Sequence, residues 1–206
     1  MQLKSKGKTI PVSKFDAALQ KAKEAIAKGR AVIYPTDTLY GIGCDATSKK
    51  AVGGIYRIKS REPKKPLSIL VSDLPMAKKY CEISPRQEQV LTALLPGPYT
   101  FLLKLKIPLP VTDSKLVGVR VPEHMFMRTV SRQLGIPIVT TSANRSGGKD
   151  AAEIGEIEEG ILNSKEVSLI VDGGRCKYAQ GSTVIDLVDM RVARKGAVRE
   201  GDKIEF

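Results

Sequence analysis

Apolar positions along the chain follow two alternating periods. Ala17, Leu19, Ala22, Ala25 and Ile26 fall at helical spacing, and Ser13 with Asp16 ahead of them predicts a capping box built on the shorter acid. Gly29 closes that segment. Ala31-Val32-Ile33-Tyr34-Pro35, short, apolar and β-branched, then predicts a buried strand. A glycine-containing loop over 36–47 leads to a second helix over 49–59, with Ala51, Val52, Ile55 and Ile58 on one face. The pattern predicts a strand over 67–71 and helices over 76–80 and 86–95, the last stopped by Pro96-Gly97-Pro98. Strands over 99–106 and 117–121 precede a helix over 123–134 that ends at Gly135. A strand over 136–141, a weak helix over 153–163, and strands over 167–172, 183–187 and 192–194 complete the chain.

Helices alternate with short apolar strands through the first two thirds, and the last third is strand-rich. The fold class is therefore α/β, a single domain with a mixed β-sheet and flanking helices. No internal repeat or linker interrupts it. The domain is expected over 12–200, with 1–11 and 201–206 as terminal extensions.

Composition narrows the class. With 206 residues, 42% apolar and 27% charged, the chain is too apolar for bulk disorder and long enough to bury roughly 70% of its unfolded surface. Cys44, Cys81 and Cys176 are odd in number and form no CxxC, which predicts reduced thiols and neither a disulfide frame nor a zinc site. No apolar run approaches ~18 residues, and the N-terminus lacks the apolar segment of a signal peptide, so a cytoplasmic protein with no membrane partner is expected.

Charge changes the picture more. Lys and Arg number 34 against 22 acids, a net +12, and between Lys49 and Lys65 seven basic residues face one acid, Glu62. Such an excess attracts polyanions, nucleotide or nucleic acid; read more blandly, it is general basicity that speaks to solubility and not to chemistry. Aromatic residues are 5% and Trp is absent, so base-stacking platforms are poorly supplied.

No familiar nucleotide signature occurs. Gly41-Ile42-Gly43 is followed by Cys44-Asp45-Ala46, without the third glycine of a dinucleotide fingerprint. The sole histidine, His124, reads as an exposed helix-start residue, and neither a Ser-His-Asp triad nor a metal centre is expected. Polar clusters instead sit at strand ends. Thr36-Asp37-Thr38 places hydroxyls where α/β sheets bind ligands, or else forms a turn that satisfies its own backbone. Lys59-Ser60-Arg61-Glu62-Pro63-Lys64-Lys65-Pro66 ends a helix, where cations suit either the helix dipole or a bound triphosphate. Thr140-Thr141-Ser142-Ala143-Asn144-Arg145-Ser146-Gly147-Gly148 is either a polar loop or an oxyanion wrap. Gly181-Ser182-Thr183 and Arg194-Lys195-Gly196 close the set.

Together these clusters resemble the YrdC/Sua5 family. Tyr34-Pro35-Thr36-Asp37-Thr38-Leu39-Tyr40-Gly41-Ile42-Gly43, Lys59-x-Arg61 with Lys65-Pro66-Leu67, Pro96-Gly97-Pro98-Tyr99-Thr100, Val119-Arg120-Val121-Pro122, Ser142-x-Asn144 with Ser146-Gly147, Ser182-Thr183-Val184-Ile185-Asp186 and Arg194-x-Gly196 occur in that family's order. The chain resembles the short single-domain form, without a further C-terminal domain. The resemblance implies a twisted sheet around a concave, positively charged cavity. It also implies condensation of L-threonine, bicarbonate and ATP into threonylcarbamoyl-adenylate and pyrophosphate, a nucleotidyltransferase reaction that feeds t6A at position 37 of tRNA. Carried over by motif, Lys59, Arg61, Ser142 and Asn144 form a catalytic tetrad. Arg61, Lys65, Ser142, Asn144 and Arg194 face ATP, and Thr36, Thr38, Arg120, Thr140 and Ser182 hold threonine. ATP is expected as co-substrate with Mg2+, with no metal site of the protein's own; RNA or tRNA and a downstream t6A transferase complex are the further partners.

Elementary chemistry agrees. A threonine carboxylate wants a fixed guanidinium, which Arg120 supplies at a strand end. Attack of a carbamate on the α-phosphate builds negative charge that Lys59, Arg61 and Mg2+ neutralise. This chain departs from the family at three places: Leu70 where longer relatives carry a threonine-contacting His, Leu116 where Thr is common, and Gly148-Lys149-Asp150-Ala151 where many members carry Ser. Asp150 is left out of the expected site, because a carboxylate beside phosphates is unfavourable unless it faces Mg2+ or solvent. The competing readings are a YciO-like paralogue with the same cavity and different chemistry, and a double-stranded RNA or tRNA-binding protein without this activity. A carbamoyl-transferring domain of the hydrogenase-maturation kind is disfavoured, since its zinc-finger and acylphosphatase parts are absent.

Overall fold

The computed structural model describes residues 8–204. Eleven strands form one sheet in the order β1-β9-β2-β3-β8-β4-β7-β6-β10-β11, with β5 (Cys81–Glu82) added beside β6. The strands are β1 Thr9–Pro11, β2 Ala31–Tyr34, β3 Gly41–Gly43, β4 Ser68–Leu70, β6 Tyr99–Leu105, β7 Leu116–Arg120, β8 Ile138–Ser142, β9 Val167–Asp172, β10 Thr183–Asp186 and β11 Arg191–Arg194. Parallel pairs (β1 with β9, β9 with β2, β4 with β7, β6 with β10) mix with antiparallel ones, as the sequence led us to expect. Among the described residues no helix is long and apolar enough to cross a membrane.

Strand alternation divides the interior. Ala31 and Ile33 of β2 join the larger core with Val52, Ile55 and Ile58 of α2 (Lys49–Lys59). Val32 and Tyr34 point the other way, into a core made with α1 (Phe15–Ala27) and α5 (Met125–Leu134). That second core also contains Leu70, fully buried, so the departure from the family at this position is a packing residue under two helices. Helix α2 has the bounds its pattern predicts: Ser48 caps it by accepting from the Ala51 amide, and Ser60 ends it in the left-handed conformation. Helices α3 (Leu74–Tyr80) and α4 (Pro85–Leu94) follow the expected segments.

Five expectations are corrected. The capping box at Ser13 does not form; a turn closed by the Lys14 amide on the Pro11 carbonyl carries the chain out of β1, and α1 starts behind Lys14 with no side-chain cap. The loop over 36–47 contains β3, seated between β2 and β8. The helix over 153–163 is split into a 3-10 turn at Ile154–Glu156 and a short helix α6 at Glu159–Leu162. Gly155 and Gly160 weaken this stretch, and the Glu156 carboxylate turns back to accept from the Ala152 amide. His124 is half-buried, not exposed, and its Nδ1 accepts from the Phe126 amide at the start of α5. Thr9–Pro11, in the stretch assigned to a terminal extension, pairs in register with Ile170, Val171 and Asp172; residues 1–7 and 205–206 lie outside the described range.

Candidate active site

The strand ends converge on a cavity of about 330 Å3. Its wall takes Thr36 and Thr38 from the exit of β2, Arg120 from the end of β7, Thr140 and Ser142 from β8, Ser182 from the entry to β10 and Arg194 from β11. Arg61 reaches it from the loop after α2. Most of the sequence-derived residues are therefore gathered in one place.

Arg120 is the most constrained of them. Its Nη2 donates to Asp37 Oδ1 and to Thr38 Oγ1, both at 3.0 Å, and the second oxygen of Asp37 accepts the Glu123 amide at 3.0 Å. The Asp37 side chain is 1% exposed and that of Arg120 12%. Burial pushes the Asp37 carboxyl above its ordinary value, against the opposing pull of Arg120 and the Glu123 amide. Arg120 Nε is buried and has no hydrogen-bond partner among the described residues. The residue lines the cavity with its guanidinium held by Asp37 and Thr38, which presents a fixed cation to an incoming acceptor. Asp37 was quoted in the sequence motif without a role; its partner lies 83 residues away, which local pattern cannot reveal.

The hydroxyls divide by use. Thr36 Oγ1 accepts the Thr38 and Leu39 amides and donates to the Leu39 carbonyl at 2.7 Å, so the self-satisfied turn weighed at this position forms. Thr140 Oγ1 accepts from the buried Tyr34 hydroxyl, whose ionisation burial pushes up to about 12. Ser182 Oγ lies 2.7 Å from Thr100 Oγ1, and Arg194 Nη2 donates to the Ser182 carbonyl at 2.8 Å. Arg61 Nη2 donates to the Pro66 carbonyl at 2.9 Å.

Two expected members stand behind the wall instead of on it. Lys59 is 2% exposed, and its ammonium donates to the carbonyls of Ser142 and Asn144 and, at 3.0 Å, to Asn144 Oδ1. Burial, with Arg61 nearby, pushes that ammonium down to about 8. Asn144 Oδ1 also accepts from Ser142 Oγ at 2.7 Å, which fixes the amide so that Nδ2 donates to Gly148 O and Asp150 Oδ1. Lys65 does not line the cavity; its ammonium is exposed near Glu62, and its carbonyl accepts from Arg61 Nε. Asp150, left out of the expected site, does line the cavity. The only signal for it in the sequence was its departure from the family's serine.

A family model for the Sua5/YciO/YrdC domain, described as "Telomere recombination", matches residues 24–196. The chain is 38% identical over 184 residues to a Methanocaldococcus jannaschii protein that carries the threonylcarbamoyl-AMP synthase name, covering 89% of this chain and 85% of that one. It resembles the structure of a P. abyssi Sua5 variant with a TM-score of 0.85 and 29% identity, over 92% of this chain and 60% of that one. The same Sua5 is also solved with L-threonine, at a TM-score of 0.71, where 82% of this chain and 51% of that one are covered. This chain thus spans less than two thirds of Sua5. E. coli YciO matches with a TM-score of 0.77 and 29% identity, over 89% of this chain and 91% of that one.

Proposed function

The chain belongs to the Sua5/YciO/YrdC family, and we propose that it is a threonylcarbamoyl-AMP synthase, an enzyme that condenses L-threonine, bicarbonate and ATP and releases pyrophosphate. The observation that carries this reading is the Asp37–Arg120–Thr38 clamp, buried at one end of a cavity whose other walls present Arg61 and Arg194. A clamp of that kind suits an amino-acid carboxylate, and two further guanidinium groups suit a triphosphate.

In this reading Arg120 offers its guanidinium to the threonine carboxylate, and the Thr38 and Ser182 hydroxyls orient the rest of the amino acid. Carboxylation of the threonine amine by bicarbonate forms the N–C bond, expels water and gives a carbamate. A carbamate oxygen then attacks the α-phosphate, the bond to the β-phosphate oxygen breaks, and pyrophosphate leaves. Arg61 and Arg194 balance the charge that gathers on the phosphates, and the Ser142 hydroxyl, held by Asn144, faces the reacting groups. Lys59 and Asn144 act as positioning residues, because their polar atoms are spent on the loop that carries Ser142. Mg2+ on the triphosphate would supply charge neutralisation during phosphoryl transfer, and Asp150 is the carboxylate of the wall that fits it. Holding reactants in line is most of the work, and no protein nucleophile is required. The product would pass to a t6A transferase acting on tRNA, and this chemistry belongs in the cytoplasm.

Pyrophosphate release is the test, measured with ATP, Mg2+ and bicarbonate, with and without L-threonine, and with serine and valine as controls. Threonine-dependent release with a threonylcarbamoyl-adenylate mass is the expected result. Nucleotide binding without threonine-dependent release would move the protein to the YciO-like reading, and RNA binding without ATP binding to the nucleic-acid reading.

A further inference from the structure

Among the described residues, Asp150 is the single carboxylate on a cavity wall that otherwise carries Arg61, Arg120 and Arg194. Its Oδ1 accepts from Asn144 Nδ2 at 3.1 Å. That amide cannot flip, because Asn144 Oδ1 already accepts from Lys59 Nζ at 3.0 Å and from Ser142 Oγ at 2.7 Å. The buried ammonium therefore sets the amide, and the amide sets the carboxylate. Asp150 is exposed, and its Oδ2 has no hydrogen-bond partner among the described residues. It stands beside Gly181, where a Cβ would lie 3.9 Å from it and 3.7 Å from Arg194 Nη2. No ion pair joins Asp150 to Arg194, although both flank the same glycine.

A fixed carboxylate in this position opposes a triphosphate. Arg120 is already neutralised by Asp37, so only Arg61 and Arg194 remain on the wall to balance the phosphates, and Asp150 subtracts from them. The conflict disappears when a divalent cation lies between carboxylate and phosphate. Mg2+ is commonly held by one or two carboxylates together with substrate phosphates, and one oriented carboxylate with a free oxygen is what the wall offers.

We propose that Asp150 is the protein's contact for the divalent cation that accompanies the triphosphate, so that this chain discriminates metal-loaded from metal-free nucleotide. The proposal rests on the reading of the cavity as an ATP site. By linkage, whatever Mg2+ adds to ATP affinity, ATP adds to Mg2+ affinity.

Calorimetric titration of ATP into the full chain, without threonine, tests this in Mg2+ and in EDTA, for the wild type, Asp150→Asn and Asp150→Ser. Asn keeps an oxygen for the Asn144 amide, and Ser removes the carboxylate altogether. The ratio of ATP affinities with and without Mg2+ should fall on the order of tenfold in both variants, mainly because metal-free ATP binds them better. Mn2+ titration with ATP present, read by water-proton relaxation, should show weaker metal binding in both. An unchanged affinity ratio with ATP still bound would overturn the role of Asp150 alone. A wild type that binds ATP in neither buffer would overturn the ATP-site reading and this proposal with it.

Discussion

Arg120 Nη2 lies 3.0 Å from Asp37 Oδ1, and the two side chains hold each other in a nearly closed compartment at the end of β7. The pair is worth more as a positioning device than as a source of stability. Two charges removed from water lose solvation that their attraction only partly returns, while loss of one partner strands the other. Asp37→Ala should therefore cost about 3–5 kcal/mol of stability, read by chemical denaturation. In the fraction that remains folded, the threonine requirement should rise.

Arg120→Ala separates the two substrates. If its guanidinium receives the threonine carboxylate, KM for threonine should rise at least tenfold while KM for ATP stays within a small factor. Equal effects on both would reject the clamp. Arg120→Lys should fail to rescue, because an ammonium cannot bridge Asp37, Thr38 and a carboxylate in one plane.

Arg61 and Lys65 were both expected to face ATP, and the structure separates them. Arg61 lines the cavity with its guanidinium braced on the Pro66 carbonyl, whereas the Lys65 ammonium stands in solvent. Arg61→Ala should slow pyrophosphate release by about 100-fold or more, the usual effect of deleting a charged transition-state donor, ~2.7–4 kcal/mol. Lys65→Ala should cost far less. A variant pair with equal losses would return Lys65 to the site.

What the sequence made legible follows from how local each signal is. The bounds of α2 could be read because an amphipathic face and a serine cap lie within a dozen residues. Strand β3 could not: Gly-Ile-Gly shows no alternation, and the segment is a strand only because β2 and β8 flank it. The motifs located the wall of the cavity but not the direction of each side chain. Lys59 was expected at the reacting phosphates, yet three acceptors from the Ser142–Asn144 turn draw its ammonium inward. The charge of Asp150 argues against a place beside phosphates, and the Asn144 amide that holds it on the wall has no mark in the local pattern.

Gly43 shows how a poor strand signal becomes a structural requirement. A Cβ there would collide with the Val139 carbonyl oxygen and press on Ile138 and the Tyr34 hydroxyl. Gly43→Ala should force β3 away from β8 and cost about 1–3 kcal/mol. Thermal unfolding would register roughly 2–4 °C for each kcal/mol in a chain of this size. A midpoint equal to that of the wild type would show that the strands separate freely.

Lys59 gives a prediction whose stability and activity arms run in opposite directions. Burial pushes its ammonium down to about 8, whereas an unfolded lysine titrates near ~10.4. Between those values the unfolded chain holds the proton more tightly, so raising pH through the window favours the folded state. The stability this group contributes is present above the unfolded value and is lost as pH falls through about 8. Activity should do the reverse. Deprotonation leaves two hydrogens for the three acceptors of Ser142 and Asn144, and the turn that orients the Ser142 hydroxyl loosens. The rate of pyrophosphate release at saturating threonine should therefore fall as pH rises through about 8, with no matching fall in thermal midpoint from this group. Lys59→Met should lose that alkaline limb and run at a low rate throughout. A limb of the same midpoint in Lys59→Met would assign the titration to another group, and an activity that climbed through the window would show that the neutral amine is the working form.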